Sequence, residues 1–156
     1  MFAARSGSSV ASASNFIVTT IFMQRNQPKR ILVVDDDACI LQISASALLA
    51  EGYLVDTAED GEHGWNALSS FQSSNPQGYD LLITDNNMPR LSGIELIKKV
   101  RSVFADLPVI LASGTVPPNL ENLNLAAVMH KPFFPSALIQ AAQAILQPDS
   151  SQSLSA

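Results

Sequence analysis

The chain has 156 residues, 47% of them hydrophobic and 15% charged, and a net charge of −5. That length builds one domain with a substantial core and not two, and that composition belongs to a globular chain rather than a disordered one. The negative balance excludes general DNA or RNA binding, which needs a basic face to displace counterions. The first 28 residues are rich in Ser and Ala and carry Arg5 and Arg25 but no acid. Their apolar run, Phe16 to Met23, is well short of the ~20 residues a membrane span needs. They resemble a targeting peptide only loosely, because no good cleavage site follows. Residues 1–28 are therefore expected to be a disordered extension or to reflect a mis-assigned start, with Met23 as the true beginning.

From Lys29 onward, strands alternate with helical patterns. Ile31–Val34 reads as strand one, an uninterrupted apolar run of the kind buried on both faces of a parallel sheet. Ala38 to Glu51 follows with Ile40, Leu41, Ile43, Ala47 and Leu48 at helical spacing, Asp37 as its N-cap and Gly52 as its stop. Tyr53 to Ala58 reads as strand two, Asp60-Gly61 as a turn and Glu62 to Phe71 as the second helix. Ser73 to Gly78 is a polar loop, and Leu81–Thr84 is strand three. After a loop from Met88-Pro89 to Gly93, Ile94 to Val103 is a helix with Ile94, Ile97, Val100 and Val103 on one side. Pro108 opens strand four, Val109–Ala112. Pro117-Pro118 begins a short helical stretch around Leu120, Leu123 and Leu125. Ala127–His130 is strand five, and Pro135 to Leu146 is a last amphipathic helix. Residues 29–147 thus hold five strands and five helices in alternation, which predicts right-handed βαβ units and a parallel sheet. Residues 148–156, mostly Ser and Gln, are expected to be a disordered tail.

Ligands of open α/β sheets bind outside the carboxyl ends of the strands, and the polar residues of this chain fall there. Strand one delivers Asp35 and Asp36, strand three Asp85, strand four Ser113-Gly114 and strand five Lys131-Pro132. Converging carboxylates must hold a cation or raise some of their pKa values. Oxygen ligands at this density suit Mg²⁺. Zinc is not indicated, since His63 and His130 are expected to lie apart and without partners. An Asp beside Mg²⁺ can attack phosphorus and form an acyl phosphate. Such transfer needs little beyond in-line positioning and charge neutralisation, which Mg²⁺ and Lys131 would supply. The Ser113 hydroxyl would then hydrogen-bond an equatorial oxygen.

Taken together, Ile31-Leu32-Val33-Val34-Asp35-Asp36-Asp37, Asp85-Asn86-Asn87-Met88-Pro89 with Gly93, Ser113-Gly114 and Lys131-Pro132-Phe133 resemble the receiver domain of two-component response regulators over about Lys29 to Leu146. The resemblance implies a flavodoxin-like, doubly wound five-stranded sheet in the order 2-1-3-4-5. It implies Asp85 as phosphoacceptor, Asp36 as direct Mg²⁺ ligand with Asp35 supporting it, and the Asn87 backbone carbonyl completing the metal site. Lys131 matches the phosphate-binding lysine, Ser113 the switch hydroxyl, and Pro132 follows an expected cis peptide. The implied partners are a histidine kinase or phosphotransfer protein and a downstream protein target; phosphorylation-dependent homodimerisation stays open. The domain would be a cytoplasmic signalling module that catalyses only its own phosphorylation and dephosphorylation. A lone cysteine, Cys39, suits a reducing compartment. With about ten residues after the last helix, no DNA-binding output domain is expected.

The chain also departs from the family pattern. The switch position three residues before Lys131 is Val128, not an aromatic. Ser113 to Lys131 spans a short 18 steps with Pro117-Pro118 inside it. Asn87 and Thr115, which flank the path of attacking water in the family, are neither strong acids nor strong bases, so no fast built-in hydrolysis is expected. Two rival readings follow. One is a receiver fold kept as a docking scaffold with its switch disabled. The other is an aspartate-nucleophile phosphatase, disfavoured because the general-acid position holds Asn87. Elsewhere structural roles are expected: Asp37 as a cap, Cys39 as a buried thiol, His130 as a structural or exposed strand-end residue, Trp65 packed on the sheet, and Lys98-Lys99-Val100-Arg101 as a solvated face.

Overall fold

The computed structural model describes residues 27–75 and 77–147; the expectations for residues 1–26 and for the tail from Pro148 lie outside them. The elements run β1 (Arg30–Val34), α1 (Ala38–Ala50), β2 (Leu54–Ala58), α2 (Gly61–Ser74), β3 (Leu81–Asp85), α3 (Gly93–Val103), β4 (Val109–Ser113), a 3-10 turn (Glu121–Leu123), β5 (Ala127–His130) and α4 (Pro135–Leu146). All strand pairs are parallel, in the order β2-β1-β3-β4-β5. This is the doubly wound sheet that the alternation of patterns predicts.

Side chains of a strand alternate between faces, and the apolar runs split accordingly into two cores. Leu32, Val34, Leu82 and Leu111 face Leu96, Ile97 and Val100 of α3 and Leu68 of α2. Ile31, Val33, Leu81, Ile83 and Ile110 face Leu48 of α1 and Leu138 and Ala142 of α4. β3 and β4 are buried along their whole length, whereas the edge strands β2 and β5 are not. Each fully buried Leu or Ile contributes about 1.5–3 kcal/mol over an exposed one, so β1, β3 and β4 anchor the sheet. Their register brings Val34 beside Thr84, Asp85 beside Ala112 and Ser113 beside His130. The strands therefore finish at one edge, and every residue that follows them emerges there.

Helix starts follow local chemistry. Asp37 caps α1, accepting the amide protons of Cys39 at 2.8 Å and Ile40 at 3.2 Å. Ser92 and Glu95 form a reciprocal capping box on α3. Gly52, at φ +87°, takes the left-handed turn after α1 that a side chain would resist.

Four α-helices stand among the described residues, not five. Between β4 and β5 only Glu121–Leu123 closes a 3-10 turn. Pro117 and Pro118 supply no amide protons there. Asn119 and Asn124 both sit at positive φ, which no α-helix accommodates. Arg101, expected on a solvated face, is instead half-buried. Its guanidinium donates to the carbonyls of Leu123 (2.8 Å), Asn124 (2.8 Å) and Leu107 (2.7 Å), taking over the anchoring that a helix would give.

Three smaller expectations also change. Ser73 and Ser74 finish α2 rather than opening a loop, their hydroxyls donating to carbonyls one turn back. Trp65 is half-buried at the core's edge, its ring 6.0 Å from Phe104 and covered by the Lys99 ammonium at 5.0 Å, so it packs towards α3 more than onto the sheet. Cys39 is exposed, because the second residue of α1 faces solvent.

Candidate functional site

Lys131 reaches from the end of β5 into the acidic edge of the sheet. Its Nζ lies 2.5 Å from Asp35 Oδ2 and 2.8 Å from Asp85 Oδ1. The remaining oxygen of each carboxylate accepts a backbone amide proton: Asp35 Oδ1 from Asp37 at 3.0 Å and Asp85 Oδ2 from Asn87 at 2.7 Å. Both acids are almost wholly buried, at 3% and 5% exposure. Burial pushes the Asp35 carboxyl above its ordinary range, the Asp85 charge adds to that, and the bonds from Lys131 and the Asp37 amide only partly offset it. Burial alone would lower the Lys131 ammonium, but its bonds to Asp35 and Asp85 outweigh burial and raise it. The electrostatic problem posed by the sequence is thus met by an ammonium group of the chain itself. An internal cation sits between two acids, and burial raises the proton affinity of one of them, Asp35.

Ser113 is fully buried at the end of β4, and its hydroxyl donates to the Thr115 carbonyl at 2.7 Å. The Lys131 amide donates to the Ser113 carbonyl at 3.0 Å, which fixes the two loops side by side. The Lys131–Pro132 peptide is cis. Asp36 and Asn87 are exposed beside the cluster. Val128 is 38% exposed on the edge strand β5, and His130 is exposed at its end.

The donors expected for Mg²⁺ are carboxylate and carbonyl oxygens without sulfur or imidazole, the set a hard cation takes. Asp35, Asp36 and Asp85 outnumber the single ammonium, so the cluster stays attractive to a cation. These three do not bring three oxygens within 4.8 Å of one another; among the described residues, Glu59, Asp60 and His63 do bring three ligand atoms that close.

That second group corrects the expectation that His63 has no partners. Asp60, fully buried as the N-cap of α2, accepts the His63 amide at 2.8 Å, meets His63 Nδ1 at 2.6 Å and pairs with the Arg90 guanidinium. Burial opposes ionisation of Asp60, but Arg90 and the two His63 contacts hold it well below the usual carboxylate range. With Arg90 already serving as its cation, the group is an ion-pair network. The sequence marks Asp60 only as a turn residue, and nothing in the spacing connects it to Arg90, thirty positions on.

Glycine sets the loop geometry around Asp85. A methyl group on Gly93 would fall 2.1 Å from the Asp85 carbonyl oxygen, and one on Gly61 would fall 2.3 Å from that of Leu91. The start of α3 thereby lies directly on the end of β3, and the start of α2 lies on the loop between them.

An apolar recess of about 220 Å³ adjoins this edge, lined by Ile40, Ile43, Ser44, Phe133 and Pro135. Phe134, 81% exposed, and Ile43, 54% exposed, stand at the same surface.

Residues 31–143 match the family model described as the response regulator receiver domain. The chain is 35% identical over 124 residues to the response regulator MprA of Mycolicibacterium vanbaalenii, covering 77% of this chain and 51% of that protein. It is 34% identical over 122 residues to the protein RcaC of Microchaete diplosiphon, covering 76% of this chain and 18% of that one. The chain therefore spans about half, or less, of the length of these curated relatives. Among solved structures it resembles the response regulator TrrA of Thermotoga maritima in complex with Mg²⁺-BeF, at 34% identity and TM-score 0.64, covering 76% of this chain and 99% of that one. It also resembles the chemotaxis protein CheY4 of Vibrio cholerae, at 29% identity and TM-score 0.66, covering 77% and 100%. Family match, relatives and fold agree with the acidic edge and its lysine: the chain belongs to the response regulator receiver domain family of two-component signalling.

Proposed function

We propose that Asp85 accepts a phosphoryl group from a phosphohistidine on a histidine kinase or phosphotransfer protein, and that the domain signals by protein contact. The observation that carries this reading is the Lys131 ammonium held between Asp35 and Asp85 at the strand ends. An Asp85 carboxylate oxygen forms the new bond to phosphorus as the donor's P–N bond breaks and the imidazole leaves. Asp36, Asp85 and the Asn87 carbonyl, with Asp35 in support, would hold Mg²⁺, which would supply charge neutralisation for the phosphoryl oxygens. Lys131 is already within hydrogen-bond reach of the nucleophile and exchanges that partner for a phosphoryl oxygen. The Asn87 amide holds the second Asp85 oxygen and so fixes the direction of attack. Ser113 gives up the Thr115 carbonyl and donates to the phosphoryl group, which makes the turn after β4 the first segment to move.

Recognition of a protein donor is supported by Phe134, Ile43 and the recess beside them, an apolar surface bordering the Lys131 loop. We place the domain in the cytoplasm, where such donors act. Val128 leaves the readout to the turn after β4 rather than to an aromatic rotamer.

The test is Mg²⁺-dependent labelling by a small acyl phosphate, read by intact mass. Wild type should gain one phosphoryl group and Asp85→Asn none. Equal labelling of the two would sink the proposal.

A further inference from the structure

We propose that the Asp60–Arg90 pair is a positioning element for phosphorylation, setting the loop that carries Asn87 and thereby the aim of Asp85; this rests on Asp85 being the phosphoacceptor. Arg90 lies midway between Asp85 and α3, at φ +65°, a left-handed conformation that costs a long side chain free energy and persists only when its surroundings enforce it. The enforcing contact is Asp60. A fully buried carboxylate needs an ionic or hydrogen-bonded partner, and losing one is expensive. The pair thus ties the middle of the loop to the first turn of α2. The Leu91 carbonyl rests against Gly61 one residue later, and the Gly93 amide donates to the Asn86 carbonyl at 3.0 Å. Between these anchors and β3 lies only Asn86 to Pro89. That stretch supplies the 2.7 Å amide bond to Asp85 Oδ2 and the Asn87 carbonyl offered to Mg²⁺. His63 Nδ1 meets the same Asp60 oxygen, Oδ2, that Arg90 does, while the His63 amide donates to Oδ1, so both oxygens are engaged and the carboxylate's orientation is fixed. Neither Asp60 nor Arg90 is bonded to Asp85, so they act through the loop.

The full chain is labelled with a small acyl phosphate across an Mg²⁺ titration, in wild type, Arg90→Ala, Arg90→Lys, Asp60→Asn and the double variant Asp60→Asn/Arg90→Ala. Removing a partner that orients a metal-site group costs about 10–100-fold in affinity or activity. We expect roughly a tenfold loss, at the low end of that range, in either single variant, because the loop keeps its glycine contacts. The double variant should lose no more than a single one, and Arg90→Lys should recover most of the rate. A merely structural pair would lower Tm and leave labelling below the melt unchanged. An Arg90→Ala protein that is folded by circular dichroism and labels at the wild-type rate overturns the proposal. If wild type itself does not label, the assignment of Asp85 fails instead. Placement of the loop by the pair is read separately from the Asn87 and Asp85 amide resonances of the unphosphorylated protein: shifts of both in Arg90→Ala are expected, and unmoved resonances overturn the proposal.

Discussion

The loop from Asn86 to Ser92 and the connection from Gly114 to Ala126 both follow inner strands whose last residues, Asp85 and Ser113, meet Lys131, yet they are held in opposite ways. The first is fastened at closely spaced points: Asn87 to Asp85, Arg90 to Asp60, Gly61 against Leu91 and Gly93 against the end of β3. The second has one 3-10 turn, two prolines, two left-handed asparagines and one arginine reaching over from α3. The segment that follows the proposed nucleophile is fastened by side-chain bonds and by close glycine contacts. The segment beside the proposed switch hydroxyl, Ser113, is held mostly by hydrogen bonds to carbonyls at the surface. Chemistry needs sub-ångström placement, whereas a readout needs two arrangements close in free energy.

Substitutions can break each side of this contrast. The largest effect is expected at Gly93→Ala, whose new methyl would collide with the Asp85 carbonyl backbone. Overpacking of this kind costs about 1–3 kcal/mol or more, measurable as a fall in urea midpoint, and labelling should fall with it because strand end and helix start cannot both stay in place. Arg101→Ala should cost about 1–2 kcal/mol, since water replaces its bonds to part of the exposed connection. It should speed hydrogen exchange across residues 119–126 while labelling of Asp85 keeps its rate. Equal loss of labelling would show that the two regions are not independent.

Acid titration separates the two buried acids. Asp60 holds its proton less tightly folded than unfolded, so the stability it contributes is complete above its unfolded pKa near 3.8 and is lost as pH falls towards the folded value. Asp35, raised by burial, has the opposite sign: folding favours its protonated form, and its contribution grows as pH falls. Urea midpoints measured without Mg²⁺ between pH 5 and pH 3 should therefore decline less steeply in Asp60→Asn than in wild type; an unchanged slope would contradict the depressed Asp60 value. The smallest effect is expected at Val128→Tyr, a half-exposed edge position where stability should move within about 0.5 kcal/mol. Labelling should not change, but the chemical-shift response of β5 to phosphorylation should widen if an aromatic is what the readout lacks.

Much of this was legible in the sequence, for identifiable reasons. Short continuous apolar runs that stop at aspartate and alternate with helical patterns read as buried parallel strands, so Ile31–Val34 and Leu81–Thr84 placed Asp35 and Asp85 at strand ends. Asp37 as a cap and Gly52 as a stop follow from local backbone chemistry and appear as expected. The missing fourth helix was half-visible, since Pro117-Pro118 shortens any helix there. That Arg101 would replace it depended on a contact between elements that no periodicity encodes. The same holds for Asp60 with Arg90 and for His63. A pair of residues far apart in the chain leaves no trace in spacing, and a charged residue on an amphipathic helix reads as solvated until the tertiary fold brings carbonyls to it. Cys39 was misjudged because a small thiol next to a cap takes its environment from the helix's orientation rather than from its own hydrophobicity.

The bond from Lys131 to Asp85 also skips a strand. β5 and β3 are separated by β4, and nothing in the sheet's hydrogen bonding joins them directly. The ammonium does, passing across the end of β4. A change of charge at the centre of the sheet therefore pulls on its outermost strand in one step, without first deforming the stiff, wholly buried β4 between them. An edge strand of the sheet is in this way wired to a buried acid at its centre.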